Sequence, residues 1–404
     1  MNLESSEPST TGRTEGNSRI LGDRNRPDAC PGAVHMHLAA DGRIGRIRLP
    51  GGYADPGVWE TLADLSDTYG DGAIHLTTRG NLQIRGIPED SAAGFTGAVD
   101  RAGLLPSVDH DRIRNIIAAP FSPELVPLVG ELDRLLLEDP GTAGLSGRTL
   151  FGVDDGTGII AARRPDIGVF PADAHHHLIL GGDIVDAAVT SPDDTARALA
   201  RAAALWADRR GRSWRMEERP DVVADIVAEL TGSGLARPLA VPSGPAETPA
   251  PPIGWFDRPD GTVSLAAGLR FGVLDTHLAR MIATIGRPTQ VTCWRSVIID
   301  GLDEASAEVV VKVLAPMGLI FDASSPWLDV SACTGSTGCD KAASDTRADA
   351  EAAVRGRRVP DGAEGHVHFS GCERRCGHPV GGPYTDYLAV GDGEYEIGRR
   401  HDAK

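Results

Sequence analysis

Part of this chain is written twice. Residues 76–90, LTTRGNLQIRGIPED, lie on residues 291–305, VTCWRSVIIDGLDEA, at a constant offset of 215 residues, and the register runs on without a gap from AGLLP at 102–106 to MGLIF at 317–321. Strand-forming residues fall on strand-forming residues, Gly86 on Gly301, an amphipathic helix on an amphipathic helix, and Gly103 on Gly318. An earlier strand and helix precede each copy, GRIGRIRLP with DPGVWETLADLSDTYG in the first and LRFGVL with THLARMIATIG in the second. The order β-α-β followed by a further helix is a ferredoxin-like unit with part of its sheet unaccounted for. The fold class predicted is therefore α+β, with duplicated ferredoxin-like half-domains and two associated α/β lobes in a pseudo-two-fold arrangement.

Between the copies, TLFGVDDG, IIAARRPDIGVF and HHHLILGGD read as strands, and SPDDTARALARAAALWADRRG reads as a helix capped by Ser191 or Asp193 and stopped at Gly211. The organisation expected is a polar tail over 1–26, a first half-domain over 27–106, a first catalytic lobe without cluster ligands over 107–230, a Pro/Gly/Ser-rich linker over 231–252, a second half-domain over 253–325 and a cluster lobe over 326–404. The tail lacks the apolar segment of a secretory signal, and no apolar run reaches the roughly 18 residues of a membrane span, so the expectation is a soluble cytoplasmic protein. A net charge of −17 argues against a general nucleic-acid binder, whose affinity rests on neutralising phosphates. Of the 40 basic residues 37 are arginine, the lysines being Lys312, Lys341 and Lys404. A GC-rich genome accounts for that bias; a ligand with many acid groups, gripped by guanidinium forks, would also account for it.

Four of the six cysteines stand in two short stretches, Cys333 and Cys339 in SACTGSTGC and Cys372 and Cys376 in SGCERRC. In a reducing compartment such groups are metal ligands or catalytic residues rather than disulfides. The five-residue gap of the first pair fits structural zinc poorly, whereas four thiolates are the ligand set of an iron–sulfur cluster, here a 4Fe-4S centre. Zinc, or four unrelated buried thiols, are the alternatives. On a helix Cys372 and Cys376 would share a face, and the small residues of ACTGSTGC would let backbone amides approach inorganic sulfide. Shifted back by the repeat, Cys333 falls on Ala118 and Cys339 on Glu124, so one half alone carries the centre and the other is free to grip what it acts on.

This cysteine pattern, downstream of duplicated ferredoxin-like units, resembles the siroheme-containing nitrite and sulfite reductase superfamily over nearly the whole chain from about residue 27. LTTRGNLQIRG is similar to that family's Thr-Thr-Arg segment and RIRNIIAAP to its Arg-Asn stretch, which implies that Arg79 and Arg114 face a macrocycle and its anion and that Cys376 bridges cluster and siroheme. The family's Lys-Phe-Lys segment, however, corresponds to Leu150, Phe151 and Gly152 here, which removes two cations from anion binding. RPDACPG, the Phe-Gly-Val-Asp-Asp-Gly stretch at 151–156, VTCWRSVII, ACTGSTGC and SGCERRCGHP together resemble the precorrin-3B synthase branch. That resemblance implies a 4Fe-4S cluster, a non-haem iron, and dioxygen-dependent hydroxylation of precorrin-3A at carbon 20 with γ-lactone closure from the ring A acetate. A siroheme-dependent nitrite or sulfite reductase is the alternative activity, and a non-catalytic cluster protein a further one.

In the synthase reading the macrocycle's acid groups meet Arg79, Arg114, Arg48 and Arg295, with Arg85 behind them; a structural ion pair is the competing role for each. His378 is the first candidate ligand for non-haem iron, with a cap or substrate contact as alternatives. His366 and His368, and His35 and His37, alternate as on one face of a strand, a polar face with an iron-ligand role as the alternative; His175, His176 and His177 look like a metal tract but belong to a strand, and iron held largely by the substrate or by water is a further alternative. Cys30 and Cys293 read as buried structural thiols, and Asp154 and Asp155 as either a turn or a polar contact to the ligand. Without a nucleotide-binding glycine motif, electrons are expected from a separate ferredoxin or reductase.

Overall fold

The structure is a computed structural model that describes residues 28–243, 250–356, 365–379 and 382–401. The expected tail over 1–26, and part of the expected linker, lie outside the described residues.

The first copy of the repeat forms β1 (His37–Ala39), β2 (Gly42–Ile47), β3 (Tyr53–Ala54), α1 (Pro56–Tyr69), β4 (Ala73–Leu76), β5 (Leu82–Ile87) and α2 (Ala92–Arg101). A lobe follows, with β6 (Ile116–Ala118), α3 (Val126–Glu138), β7 (Phe151–Val153), β8 (Ile167–Ala172), β9 (His175–Leu180), β10 (Asp183–Val189), α4 (Pro192–Arg209), α5 (Pro220–Gly232) and β11 (Arg237–Pro238). The second copy supplies β12 (Gly254–Asp257), β13 (Val263–Leu269), β14 (Val273–Asp275), α6 (Thr276–Ile285), β15 (Thr289–Val291), β16 (Ser296–Leu302), α7 (Glu304–Met317) and β17 (Leu319–Ile320). The last lobe holds β18 (Val330–Ala332), α8 (Thr346–Arg355), β19 (His366–Ser370), β20 (Pro383–Gly391) and β21 (Glu394–His401).

The strand missing from each repeat is donated by the other copy. One sheet has the order β1-β2-β5-β4-β14 and its twin the order β12-β13-β16-β15-β3, so β14 completes the first copy and β3 the second. LRFGVL is thus not one strand: it ends β13, turns sharply through Arg270–Gly272 with Phe271 at φ 55°, and crosses over as β14. Gly52 makes the equivalent crossing at φ 76°, where a Cβ would meet the Val291 carbonyl oxygen. Gly86 and Gly301 adopt φ 72° and 70°, the left-handed turn that a side chain resists, which explains their coincidence in the repeat. One apolar core joins the copies through Trp59, Ile74, Leu82, Ile84, Leu265 and Ile299. Within it the Trp59 indole N–H donates to Thr289 Oγ1 at 2.8 Å, tying α1 to β15.

The two lobes also correspond. In the first, β6, β7 and β8 run parallel before β9 turns back; in the last, β18, β19 and β20 run parallel before β21 turns back. In the first lobe α3 and α4 bury Leu132, Leu136, Leu199 and Trp206 against the sheet. Ser191 caps α4 by accepting from the Asp194 amide at 3.1 Å. Two expectations are corrected here. IIAARR is not strand but a loop ending in a short 3-10 turn over Ala161–Arg163, because the Asp154 carboxylate gathers its amides. The stretch from 231 also begins inside α5 and includes β11, which pairs with β10, so it is less linker than its Pro and Gly content suggests.

Candidate metal centre and adjoining cavity

Parallel pairing of β18 and β19 delivers the cysteines to one place, since both strands release their loops at the same carboxyl edge. Cys333 follows β18 directly and its amide donates to the Phe369 carbonyl at 3.0 Å; Cys372 and Cys376 lie just beyond the end of β19. The Gly371 amide donates to Cys333 Sγ at 3.2 Å, and Thr346 Oγ1 at the start of α8 lies 3.4 Å from the same sulfur. A Cβ on Gly371 would stand 2.6 Å from Ala342 Cβ and 3.3 Å from Cys333 Sγ, so glycine keeps this cradle open. The Cys376 thiol is pushed up by its surroundings and by the neighbouring Cys333, Cys372 and Cys339, a cost that a bound cation removes. Among the described residues no three His, Cys, Asp or Glu side chains gather as around a single ion. Four thiols in mutual electrostatic reach, an amide aimed at sulfur and a glycine cradle fit a 4Fe-4S cluster, which takes one thiolate per iron.

Cys372 and Cys376 do not share a helix face. They close a turn in which Arg375 adopts φ 48° and its amide donates to the Cys372 carbonyl at 3.0 Å. The Arg375 side chain holds that conformation by pairing with Asp386 at 2.6 Å and Glu373 at 2.6 Å, and Asp386, 1% exposed, also accepts from Ser370 Oγ at 2.6 Å.

Against this turn and the first half-domain sheet lies a cavity of about 300 Å³, whose wall includes Cys333, Cys376 and four arginines, Arg46, Arg85, Arg295 and Arg347. Strand alternation presents Arg46 on β2 opposite Gln83 on β5, with Arg85 two residues further along the same face. Arg85 forms a forked pair with Asp41 at 2.9 and 3.0 Å and donates to the Gly338 carbonyl at 3.1 Å, clamping the Cys333–Cys339 loop onto the sheet. Arg295, at φ 60°, donates to the Gly377 carbonyl at 2.7 Å, beside Cys376. Burial, then the charges of Arg347 and Arg163, pulls its pKa down to about 10. His75 also lines the cavity, with Nε2 2.8 Å from Asp71.

The structure distributes the other expected residues differently. Arg114 is spent in a forked pair with Asp133 of α3 at 2.7 and 2.8 Å. Arg48, 3% exposed, donates to Asn115 Oδ1, the Asp111 carbonyl and the Pro31 carbonyl; burial, then repulsion from Arg46, lowers its pKa to about 9. Arg79 donates to the Arg148 carbonyl at 2.7 Å. None of these three is on the cavity wall, and Arg46 and Arg347 stand there instead. Arg46 was legible from the alternation of Arg46 and Arg48 with Gln83 and Arg85; nothing in the sequence pointed to Arg347.

His378 presents Nδ1 to the Pro379 carbonyl at 2.8 Å and stacks on Tyr384 at 5.6 Å. His368 is fully buried, with Nδ1 2.8 Å from Ser331 Oγ, and burial together with Arg295 depresses His366 to about 4. His35 and His37 are exposed, and His176 is bound to Thr195, away from the cysteines. Cys30 accepts from Arg46 Nη1 at 3.1 Å, while Cys293 sits in the first lobe's core, its thiol pushed up to about 11 by burial. Asp154 accepts four amides, from Gly156, Gly158, Ile160 and Ala161, at 2.8 to 2.9 Å; Asp155 bonds Ser122 and Thr157. Asp154 is therefore a loop organiser.

This duplicated architecture is similar to the nitrite and sulfite reductase fold. Residues 37–100 match the family model described as the nitrite/sulfite reductase ferredoxin-like half domain. The NirA protein of Mycobacterium tuberculosis superposes with a TM-score of 0.70 at 15% identity, covering 88% of this chain and 73% of that one. A precorrin-3B synthase of Sinorhizobium sp is 25% identical over 385 residues, covering 88% of this chain and 79% of its own length. The sulfite reductase (NADPH) hemoprotein beta-component of Acidithiobacillus ferrooxidans is also 25% identical, over 344 residues that cover 68% of this chain and 60% of that one. No helix among the described residues is long and apolar enough to cross a membrane.

Proposed function

We propose that this chain is an oxygen-dependent precorrin-3B synthase that binds precorrin-3A in the arginine-lined cavity and hydroxylates it at carbon 20, with γ-lactone closure from the ring A acetate. The observation that carries this reading is one wall shared by Cys333, Cys376 and the guanidinium groups of Arg46, Arg295 and Arg347, because an acid-rich macrocycle needs such neighbours in reach of a redox centre. When bound, a 4Fe-4S cluster on Cys333, Cys339, Cys372 and Cys376 would supply single electrons, and a non-haem iron would supply the chemistry of dioxygen, with His378, next to the wall residue Gly377, as the protein ligand we infer.

The chain's own residues do the positioning. Arg46 from the first half-domain, Arg295 from the second and Arg347 from the cluster lobe reach the cavity from three separate elements, and so can fix a rigid ligand at several acid groups at once. One oxygen atom enters the product and the other leaves as water, with two electrons and two protons from a separate donor such as a ferredoxin or a reductase. Where the reductases carry Lys-Phe-Lys, Leu150 and Phe151 are buried apolar residues of the first lobe and Gly152 pairs in β7, which favours this reading over reduction of a small anion.

The test is anaerobic purification, iron and acid-labile sulfide analysis, an optical spectrum and titration with precorrin-3A. A broad iron–sulfur band, saturable binding and oxygen-dependent turnover are expected. Intense haem-like bands with reduction of nitrite or sulfite, and no response to precorrin, would make the chain a siroheme reductase.

A further inference from the structure

The four arginines of the cavity differ in what they already hold. Arg85 is neutralised by Asp41, Arg46 donates to Cys30 Sγ, and Arg295 donates to the Gly377 carbonyl. Arg347 is the exception: its Nε is buried and has no hydrogen-bond partner among the described residues. No carboxylate lies within ion-pair distance of it there, although Asp345, two residues earlier, caps α8 by accepting from the Ala348 amide. Arg347 is also the second residue of α8, where the helix dipole disfavours a cation. Burial, then the nearby Arg85, lowers its pKa, with Cys333, Asp71 and Asp345 offsetting part of the effect. A guanidinium held half-buried against a dipole and against its own kind, with an unused N–H beside a cavity, is arranged for an incoming anion.

Resting on the function proposed above, we infer that Arg347 takes a peripheral carboxylate of the tetrapyrrole and thereby fixes which edge of the macrocycle lies beside Cys333. The forked N–H pair suits a carboxylate better than a point charge does, so lysine is an incomplete substitute. It follows that the site selects macrocycles that keep their acid groups free.

The experiment uses the purified, cluster-loaded chain and uroporphyrin III, a polycarboxylate tetrapyrrole whose fluorescence reports binding. Wild type, Arg347→Gln, Arg347→Lys and a remote control, Arg134→Gln on α3, are titrated, with iron, sulfide and the optical band measured on each. The expected result is binding at least tenfold weaker for the glutamine variant, partly restored by lysine and unchanged in the control, with cluster content equal in all. Glutamine-variant binding within twofold of wild type at full cluster content overturns the inference alone. Loss of iron and sulfide from that variant also overturns it, because Arg347 would then serve the cluster rather than the ligand. Wild-type protein that binds no tetrapyrrole sinks the proposed function, and this inference with it.

Discussion

Single residues decide whether the cysteine-bearing lobe can exist without distortion. The Cys372–Cys376 turn depends on Arg375 in a left-handed conformation, which an ordinary side chain adopts only when something holds it. Asp386 is that holder, buried and also bonded to Ser370 Oγ at 2.6 Å. Asp386→Asn leaves Arg375 with the exposed Glu373 alone, and a loss of about 3 kcal/mol is expected in urea unfolding, the scale of breaking a buried ion pair. Unchanged unfolding would show that the turn is held by other contacts.

His366 gives a pH dependence of definite sign. Burial and Arg295 lower its folded pKa to about 4, below the ordinary 6.5, so the folded state resists taking up a proton. The stability it contributes is complete above about pH 6.5 and is lost as pH falls toward 4, at about 1.4 kcal/mol per unit of pH between those limits. His366→Gln should flatten that part of the curve; equal slopes for variant and wild type between pH 6.5 and 5 would remove the assignment.

At the scale of elements, the decisive event is the exchange of β3 and β14 between copies. Gly52 permits it, because at φ 76° any Cβ would collide with the Val291 carbonyl oxygen of β15, the strand that β3 must join. Gly52→Ala should therefore unpair β3 and lower the unfolding midpoint, whereas Gly57→Ala, where a Cβ meets nothing within 4 Å, should leave it close to wild type. Equal midpoints would mean that the exchanged strand adds nothing to stability. The repeat, the helices and the cysteine set were legible because each is a local pattern or a spacing. The exchange was not, since LRFGVL reads as a single apolar run: Gly272, at φ 68°, is its one turn signal, and Phe271, at φ 55°, shares the left-handed turn without announcing it. The Cys372–Cys376 turn failed for a related reason: i and i+4 spacing fits a helix or a turn equally, and the choice lies with Asp386, distant in sequence and adjacent across the sheet. Arg114 and Asp133, 19 residues apart, show the same limit, because a motif names an arginine but not the carboxylate that already occupies it.

At the scale of the whole molecule, duplication produced two lobes of one topology and unequal self-sufficiency. The first packs α3, α4 and α5 on its sheet with Phe151 and Trp206 fully buried. The last lobe buries Val330, Ala332, Ala350, Val354, Val367 and Phe369 with α8 the one helix among its described residues. Small apolar cores are stabilised by little, and metal binding commonly supplies the remainder of the folding energy. On the cluster proposed above, removal of iron by a chelator under reducing conditions should therefore open the last lobe while sparing the first. Hydrogen exchange followed by mass spectrometry is expected to show amides of β18, β19 and α8 losing protection at least tenfold, with β7, β8 and α4 unchanged. The half-domain sheets are expected to stay closed as well, because the bonds from Arg85 to the Gly338 carbonyl and from Arg295 to the Gly377 carbonyl are made by side chains and can break without unpairing β5 or β16. Uniform loss across both lobes would mean that the chain unfolds as one unit. Protection unchanged in β18 and β19 would mean that four cysteines gathered at one strand edge hold nothing on which their lobe depends.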